Sequence, residues 1–256
     1  MELRVNKFKR ALAEKKLQIG LWSSLSDGLS VEILAGAGFD WILIDTEHAP
    51  NELPMVCRQL QASVGGTAHP VVRPPWNDTV MIKRFLDAGA QTLLVPMVQN
   101  EEEARRAVAA AHYPPVGVRG FSTSARASGF GRIADYFNLC GSEICVLVQI
   151  ETRQALANLE RIAAVDGVDG LFIGPGDLSA DLGYLGNPSH PDVLAVFDET
   201  IDRIRACGVP AGFLTGNSDL ARHVIDRGCT FVAVGSDIGL LTQGSDLLVR
   251  KFKPAA

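Results

Sequence analysis

The chain has 256 residues, of which 47% are hydrophobic and 21% charged, and its formal net charge is −5. That length suits a single large domain, and (β/α)8 barrels routinely reach it, so one barrel over 1–256 is expected. Mild acidity with scattered Lys and Arg excludes a basic nucleic-acid-binding face, and no low-complexity tract marks disorder.

The first segment, MELRVNKFKRALAEKK, is charged throughout and lacks the apolar centre of a signal peptide. No apolar run reaches membrane-spanning length, so a cytoplasmic location without a membrane partner is expected. Eight short runs then follow, apolar on both faces as buried parallel strands are: QIGLW (18–22), WILID (41–45), PVVRP (70–74), TLLVP (92–96), CVLVQI (145–150), GLFIG (170–174), PAGFL (210–214) and FVAVG (231–235). Between them lie stretches of helical period at 30–38, 78–90, 100–112, 153–165, 190–208 and 218–229. Several end in Gly just before the next strand (AGAGFDWIL, DAGAQTLL, DRGCTFVAV), where a left-handed cap carries no steric cost. This alternation predicts an α/β fold, a (β/α)8 TIM barrel, with an open doubly wound sheet as the rival. One connection is oversized. Residues 113–143 are rich in Gly, Ser and Arg, as lids, subunit contacts and mobile loops are. The five cysteines (57, 140, 145, 207, 229) lack metal-binding spacing and read as reduced, mostly structural thiols.

A barrel gathers its active site at the C-terminal ends of the strands. Residues at those positions are Trp22; Asp45, Glu47 and His48; Arg73; Pro96 and Gln99; Gln149 and Glu151; Gly174, Pro175, Gly176 and Asp177; Leu214 and Thr215; and Ser236 and Asp237. Glu151 and Asp177 follow neighbouring strands and suit a hard, oxygen-only site for Mg2+ or Mn2+ and, less selectively, Co2+. The alternative is that both are caps. Arg73, followed by two prolines, matches a substrate carboxylate; the other reading is a buried ion pair with Glu47 or Asp45. In Asp45-x-x-His48 the acid would hold one ring nitrogen and make the other a base, unless the pair is a structural hydrogen bond. No lysine follows a strand, so Schiff-base chemistry has no candidate. No dinucleotide fingerprint, P-loop lysine motif or nucleophile elbow is present either.

The blocks LIDTEHAP, VVRPPWND, LLVPMVQN, YPPVGVRG, VLVQIETRQAL, GVDGLFIGPGDLSADLGYLGNPSHP and FVAVGSD run in order along the chain. Together they resemble the HpcH/HpaI aldolases, the metal-dependent class II pyruvate aldolases. The resemblance implies a carbon-carbon lyase that reversibly cleaves 4-hydroxy-2-oxo acids, such as 4-hydroxy-2-oxoheptanedioate, to pyruvate and an aldehyde through a metal-bound enolate. Such enzymes serve aromatic catabolism. It implies a divalent cofactor (Mg2+, Mn2+ or Co2+) held by Glu151 and Asp177, and pyruvate bound by Gln149 and the Gly176–Asp177 backbone. Arg73 would hold the keto acid and stabilise the transition state. His48 would be the base and Asp45 its partner. Asp87 would increase the basicity of a histidine in a neighbouring subunit, and Trp22 and Leu214 would line the pocket. A homohexamer with the C-terminal helix packed on a neighbouring subunit is also implied. Two features depart from the family's pattern: Thr46 stands where Gly is frequent, and RGFSTSARASGFGR, a segment that helps shape the aldehyde pocket, differs in its small residues and is slightly shorter. Alternatives of the same chemistry are a 2-keto-3-deoxy sugar-acid aldolase or one using hydroxypyruvate as donor. A non-catalytic keto-acid-binding barrel is the alternative of a different class.

Overall fold

The computed structural model describes residues 1–253. All eight apolar runs are strands: β1 (Gln18–Ser23), β2 (Trp41–Asp45), β3 (His69–Arg73), β4 (Thr92–Val95), β5 (Cys145–Ile150), β6 (Gly170–Ile173), β7 (Ala211–Leu214) and β8 (Phe231–Ser236). Each pairs in parallel with its sequence neighbours, and β8 closes on β1. Closure settles the choice between barrel and open sheet in favour of the (β/α)8 barrel.

The helices are α1 (Lys7–Ala13), α2 (Gly28–Ala35), α3 (Leu53–Ala62), α4 (Thr79–Asp87), α5 (Glu101–Ala111), α6 (Tyr136–Leu139), α7 (Arg153–Ala157), α8 (Leu159–Ala163), α9 (Pro175–Asp181), α10 (Pro191–Ala206), α11 (Ser218–Asp226) and α12 (Asp237–Phe252). Asn, Asp, Thr or Ser side chains cap most of the longer ones; Asn100 Oδ1, for example, accepts from the Glu103 amide at 3.0 Å. The glycines at their C-terminal ends, Gly38, Gly89 and Gly228, have φ of 99°, 104° and 109°, as expected of left-handed caps. The period read over 153–165 is two short helices interrupted at Asn158.

Five helices, α1, α3, α6, α9 and α12, lie outside the stretches read as helical. In α1 only Phe8 and Leu12 are buried, one helical turn apart in an otherwise charged run. They close the N-terminal end of the barrel, where the Phe8 ring lies 5.8 Å from Trp41 and 5.9 Å from Phe231. In α3 the buried residues Val56, Gln59 and Leu60 include a polar one, which weakens the apolar stripe. Large rings fill the barrel interior where glycine leaves room: a Cβ on Gly20 would lie 2.2 Å from the Trp41 indole. The apolar outer faces of the strands pack on the helices, with Phe85, Ile162, Phe197, Ile201 and Val224 among the buried contacts.

Residues 113–143 contain α6 and short 3-10 turns, and expose Val116, Val118, Phe121 and Phe130. Helix α12 buries only Asp237, while Leu240, Leu241, Leu247, Leu248, Val249 and Phe252 are exposed. All five cysteines are free, with Cys140, Cys145 and Cys229 buried. Among the described residues no helix is long and apolar enough to cross a membrane.

Candidate active site

Five side chains at the C-terminal ends of β1, β2, β3 and β5 form a continuous chain of contacts. Arg73 ends β3 opposite Asp45, its register partner at the end of β2. Its Nε donates to Asp45 Oδ1 at 2.9 Å and its Nη2 to Asp45 Oδ2 at 2.7 Å, the bidentate geometry that suits a guanidinium. The Trp22 ring lies 5.1 Å from the guanidinium carbon, and its Nε1 donates to Asp45 Oδ2 at 3.3 Å. On the other side Arg73 Nη1 donates to Gln149 Oε1 at 3.4 Å. Gln149 Nε2 donates in turn to Glu151 Oε2 at 2.6 Å. Trp22, Asp45, Arg73, Gln149 and Glu151 are all buried.

This geometry corrects one expectation. Asp45 does not hold the His48 ring; its Oδ1 accepts instead from the backbone amides of Glu47 at 3.0 Å and His48 at 3.4 Å. Its oxygens are already engaged by Arg73 and Trp22. Burial pushes the Asp45 carboxyl up, but the Arg73 bonds and charge and the two amides outweigh it and hold the group below its ordinary range. Asp45 therefore shapes the turn that carries His48 and neutralises Arg73. The His48 side chain is 62% exposed, and its Nε2 is 3.9 Å from Glu47 Oε2.

Glu47 Oε2 lies 2.6 Å from Arg73 Nη1, so the ion pair first read as an alternative for Arg73 is present with both acids. The approach is poorly directed, however, and that oxygen accepts no hydrogen bond among the described residues although it is buried. Burial, opposed by Arg73 and aided by repulsion from Asp45 and Asp177, pushes Glu47 up to about 7. Glu151 rises to about 7 as well: burial leads, the Met97 amide opposes it at 2.6 Å, and Glu47 and Asp177 repel. Gly174 makes room for this carboxylate, since a Cβ there would come 2.5 Å from Glu151 Oε2. Asp177 stands in the first turn of α9, where the helix dipole favours an anion. Its carboxylate has no hydrogen-bond or ion-pair partner among the described residues. Gly176 is exposed beside it with open space over its Cα.

Three carboxylates, Glu47, Glu151 and Asp177, thus repel one another around one arginine, a charge set that a divalent cation would balance. Among the described residues no group of three His, Cys, Asp or Glu is arranged as a complete metal cage. An open oxygen site supplied by Glu151 and Asp177 fits both observations, because Mg2+-like ions retain positions for water and substrate.

Leu214 ends β7 and packs with Trp22 against the same inner cluster. Asp87 is not at this mouth. It ends α4, whose C-terminus lies beside the start of β4, and it pairs with Arg119 at 2.7 Å. Other strand-end residues serve the scaffold: Asp237 accepts from Ser23 Oγ and from the amides of Ser24 and Leu25, Ser236 caps α12, and Gln99 bonds Thr152. Thr46, the departure noted in the sequence, donates its hydroxyl to the Arg73 carbonyl at 2.6 Å and ties the two turns together. Sequence reasoning missed Asn51, which braces the Asp45 carbonyl at 2.6 Å and is held by Gln59 at 2.6 Å; an Asn after Pro50 in HAPNE was its only signal.

A groove of about 820 Å³ lies beneath the N-terminal ends of the strands, near Lys16, His69 and Arg126. It is at the opposite end from the carboxylates and belongs to the scaffold.

Comparison with known proteins agrees with this geometry. The family model described as HpcH/HpaI aldolase/citrate lyase matches residues 18–244. A 4-hydroxy-2-oxo-heptane-1,7-dioate aldolase of Klebsiella pneumoniae subsp. pneumoniae is 56% identical over 248 residues, covering 96% of this chain and 94% of that one. The crystal structure of an HpcH/HpaI aldolase/citrate lyase family protein from Burkholderia cenocepacia J2315 superposes with a TM-score of 0.94 at 36% identity, over 97% of this chain and all of that one. An HpcH/HpaI aldolase from Desulfitobacterium hafniense DCB-2 gives 0.88 at 28%, over 97% of each chain. With a barrel, a buried arginine-carboxylate mouth and relatives of this similarity, the chain belongs to the HpcH/HpaI aldolase/citrate lyase family and is a carbon-carbon lyase.

Proposed function

We propose that the chain cleaves 4-hydroxy-2-oxo acids, 4-hydroxy-2-oxoheptanedioate foremost, to pyruvate and an aldehyde with the aid of a divalent cation. The observation that carries this reading is the continuous contact chain from Trp22 through Asp45, Arg73 and Gln149 to Glu151, ending on a buried carboxylate that Glu47 and Asp177 repel. The name of the Klebsiella relative supports the choice of substrate.

Glu151 and Asp177 would hold the cation, and Mg2+, Mn2+ and Co2+ all suit two carboxylates with open positions. When bound it supplies Lewis-acid polarisation of the keto oxygen. Arg73, with Asp45 fixing its plane, presents Nη1 to the keto acid, displacing the poorly directed Glu47 contact. The guanidinium then shares the negative charge that C3 gains as the C3–C4 bond breaks. Gln149 and the Gly176–Asp177 backbone orient the keto acid from the opposite side. His48 accepts the C4 hydroxyl proton, C4–O becomes a carbonyl, the C3–C4 electron pair goes to the pyruvate fragment, and C3 is then protonated. Trp22 and Leu214 line the pocket with apolar surface. In the synthetic direction the order reverses.

No carboxylate hydrogen-bonds the His48 ring among the described residues, Glu47 Oε2 stopping 3.9 Å from Nε2, which supports Asp87 of a neighbouring copy as its partner. The exposed apolar residues of α12 support packing of that helix on another subunit, and the assembly proposed is a hexamer. The test is a panel of aldehydes offered with pyruvate and with hydroxypyruvate, compared by kcat/KM. Succinic semialdehyde with pyruvate should be the preferred pair; preference for a sugar-derived aldehyde or for hydroxypyruvate would move the substrate to the related activities.

A further inference from the structure

Arg119 lies in the insertion between α5 and β5, and its side chain has no exposed surface. Its segment is hooked onto the end of α5: the Val118 amide donates to the Ala109 carbonyl at 2.8 Å and the Arg119 amide to the His112 carbonyl at 2.9 Å. Gly117 allows this approach, since a Cβ there would lie 2.3 Å from the Ala109 carbonyl oxygen. The guanidinium carbon sits 4.5 Å from the Tyr113 ring centroid. Nη2 donates to Asp87 Oδ1 at 2.7 Å, while Nε and Nη1 are buried without a hydrogen-bond partner among the described residues.

An arginine held this way is poorly arranged for stability. Burying a charge with two donor atoms unsatisfied costs more than a single ion pair returns, and a well-packed apolar residue would serve the core as well. What the arrangement does achieve is orientation. Asp87 has one oxygen fixed by a rigid donor, its other oxygen accepts no bond among the described residues, and its side chain is 24% exposed. The His48 ring is exposed; Glu47 Oε2 comes no nearer to its Nε2 than 3.9 Å, beyond hydrogen-bond reach, and Asp45 is spent on Arg73. One chain therefore carries an imidazole with no hydrogen-bonded carboxylate and a carboxylate with an unused oxygen.

We propose that Arg119 is a positioning residue for the cleavage reaction: it clamps Asp87 Oδ1 so that the second oxygen is held toward the His48 ring of a neighbouring copy. The proposal rests on the reading that Asp87 serves that histidine. Arg119 then matters only to the step in which His48 removes the C4 hydroxyl proton. Decarboxylation of oxaloacetate breaks a C3–C4 bond, releases CO2 and leaves the same electron pair on the pyruvate fragment, with no hydroxyl proton to remove. It therefore isolates the rest of the site.

The experiment uses the assembled full-length protein with Mn2+ and measures kcat for aldol cleavage and for oxaloacetate decarboxylation in R119Q, R119K, D87N and the R119Q/D87N double variant. R119Q should lower cleavage by at least about tenfold while decarboxylation stays within about twofold, and R119K, which keeps charge but loses the planar fork, should fall between. The double variant should be no slower than D87N. The proposal is overturned if both Arg119 variants keep the wild-type ratio of the two rates, if both rates fall in parallel, or if neither variant assembles. D87N with undiminished cleavage would instead remove the Asp87 reading beneath it.

Discussion

Replacing Glu151 by Gln should stabilise the metal-free protein while abolishing its response to Mn2+. Burial and repulsion lift the Glu151 carboxyl from its ordinary 4.5 to about 7. Between those values the native state binds more protons than the unfolded chain, so this group's contribution to stability falls as pH rises through the window. At pH 8 the ionised carboxylate costs about 3 kcal/mol relative to its protonated form. The side-chain amide of E151Q would keep the Met97 bond but set its NH2 against the Gln149 NH2, losing one bond worth about 1 kcal/mol. The net gain of about 2 kcal/mol corresponds to a rise in Tm of roughly 4–8 °C for a domain of this size. Thermal scans of wild type and E151Q in EDTA across pH 4.5–8 should show E151Q the more stable at pH 8 and the less stable at pH 4.5. Mn2+ should raise Tm only in the wild type. An E151Q protein that is less stable than wild type at pH 8 in EDTA, or that responds equally to Mn2+, would refute the reasoning.

Further outcomes follow from the same geometry. His48→Ala should lower kcat for aldol cleavage by about 10²–10⁴-fold, the range of general base catalysis, with the Mn2+-induced Tm shift retained; equal loss of that shift would remove His48 from the proton-transfer role. Arg73→Lys loses the two-point hold on Asp45 and leaves the buried acids under-compensated, so kcat/KM should drop at least about a hundredfold and Tm should fall. A variant with normal KM for the keto acid and an unchanged rate would contradict that role. Gly174→Ala pushes a methyl group 2.5 Å from Glu151 Oε2, and titration calorimetry should show Mn2+ affinity weakened by at least about tenfold; unaltered affinity would mean that Glu151 is not a ligand.

The barrel was legible because its evidence is local. Runs such as CVLVQI are apolar on both faces, and helix-ending glycines such as Gly89 need only their own φ to be recognised. Helix α1 was not, since its two buried residues acquire meaning only from the barrel end they close. At the site, position after a strand singled out Trp22, Asp45, Arg73, Gln149 and Glu151, which contact one another in the fold. It could not say how they divide their bonds. The pairing of Asp45 with His48, three residues away, was the natural local reading, but Arg73, 28 residues on, presents a stronger partner through strand register. Thr46, Asn51 and Gly174 act through backbone carbonyls and through empty space, which leave no signature in residue type. Arg119 was invisible for a related reason: its motif YPPVGVRG carried the family resemblance, while its contact with Asp87 is formed only when the insertion folds back over α4 and α5.

The most direct measurement is pyruvate release from 4-hydroxy-2-oxoheptanedioate, followed with a lactate dehydrogenase couple, before and after stripping with EDTA and after restoring Mn2+, Mg2+ or Co2+. Release should vanish on stripping and return with the cation. Turnover that persists without metal, or that never appears once metal is restored, would contradict the account.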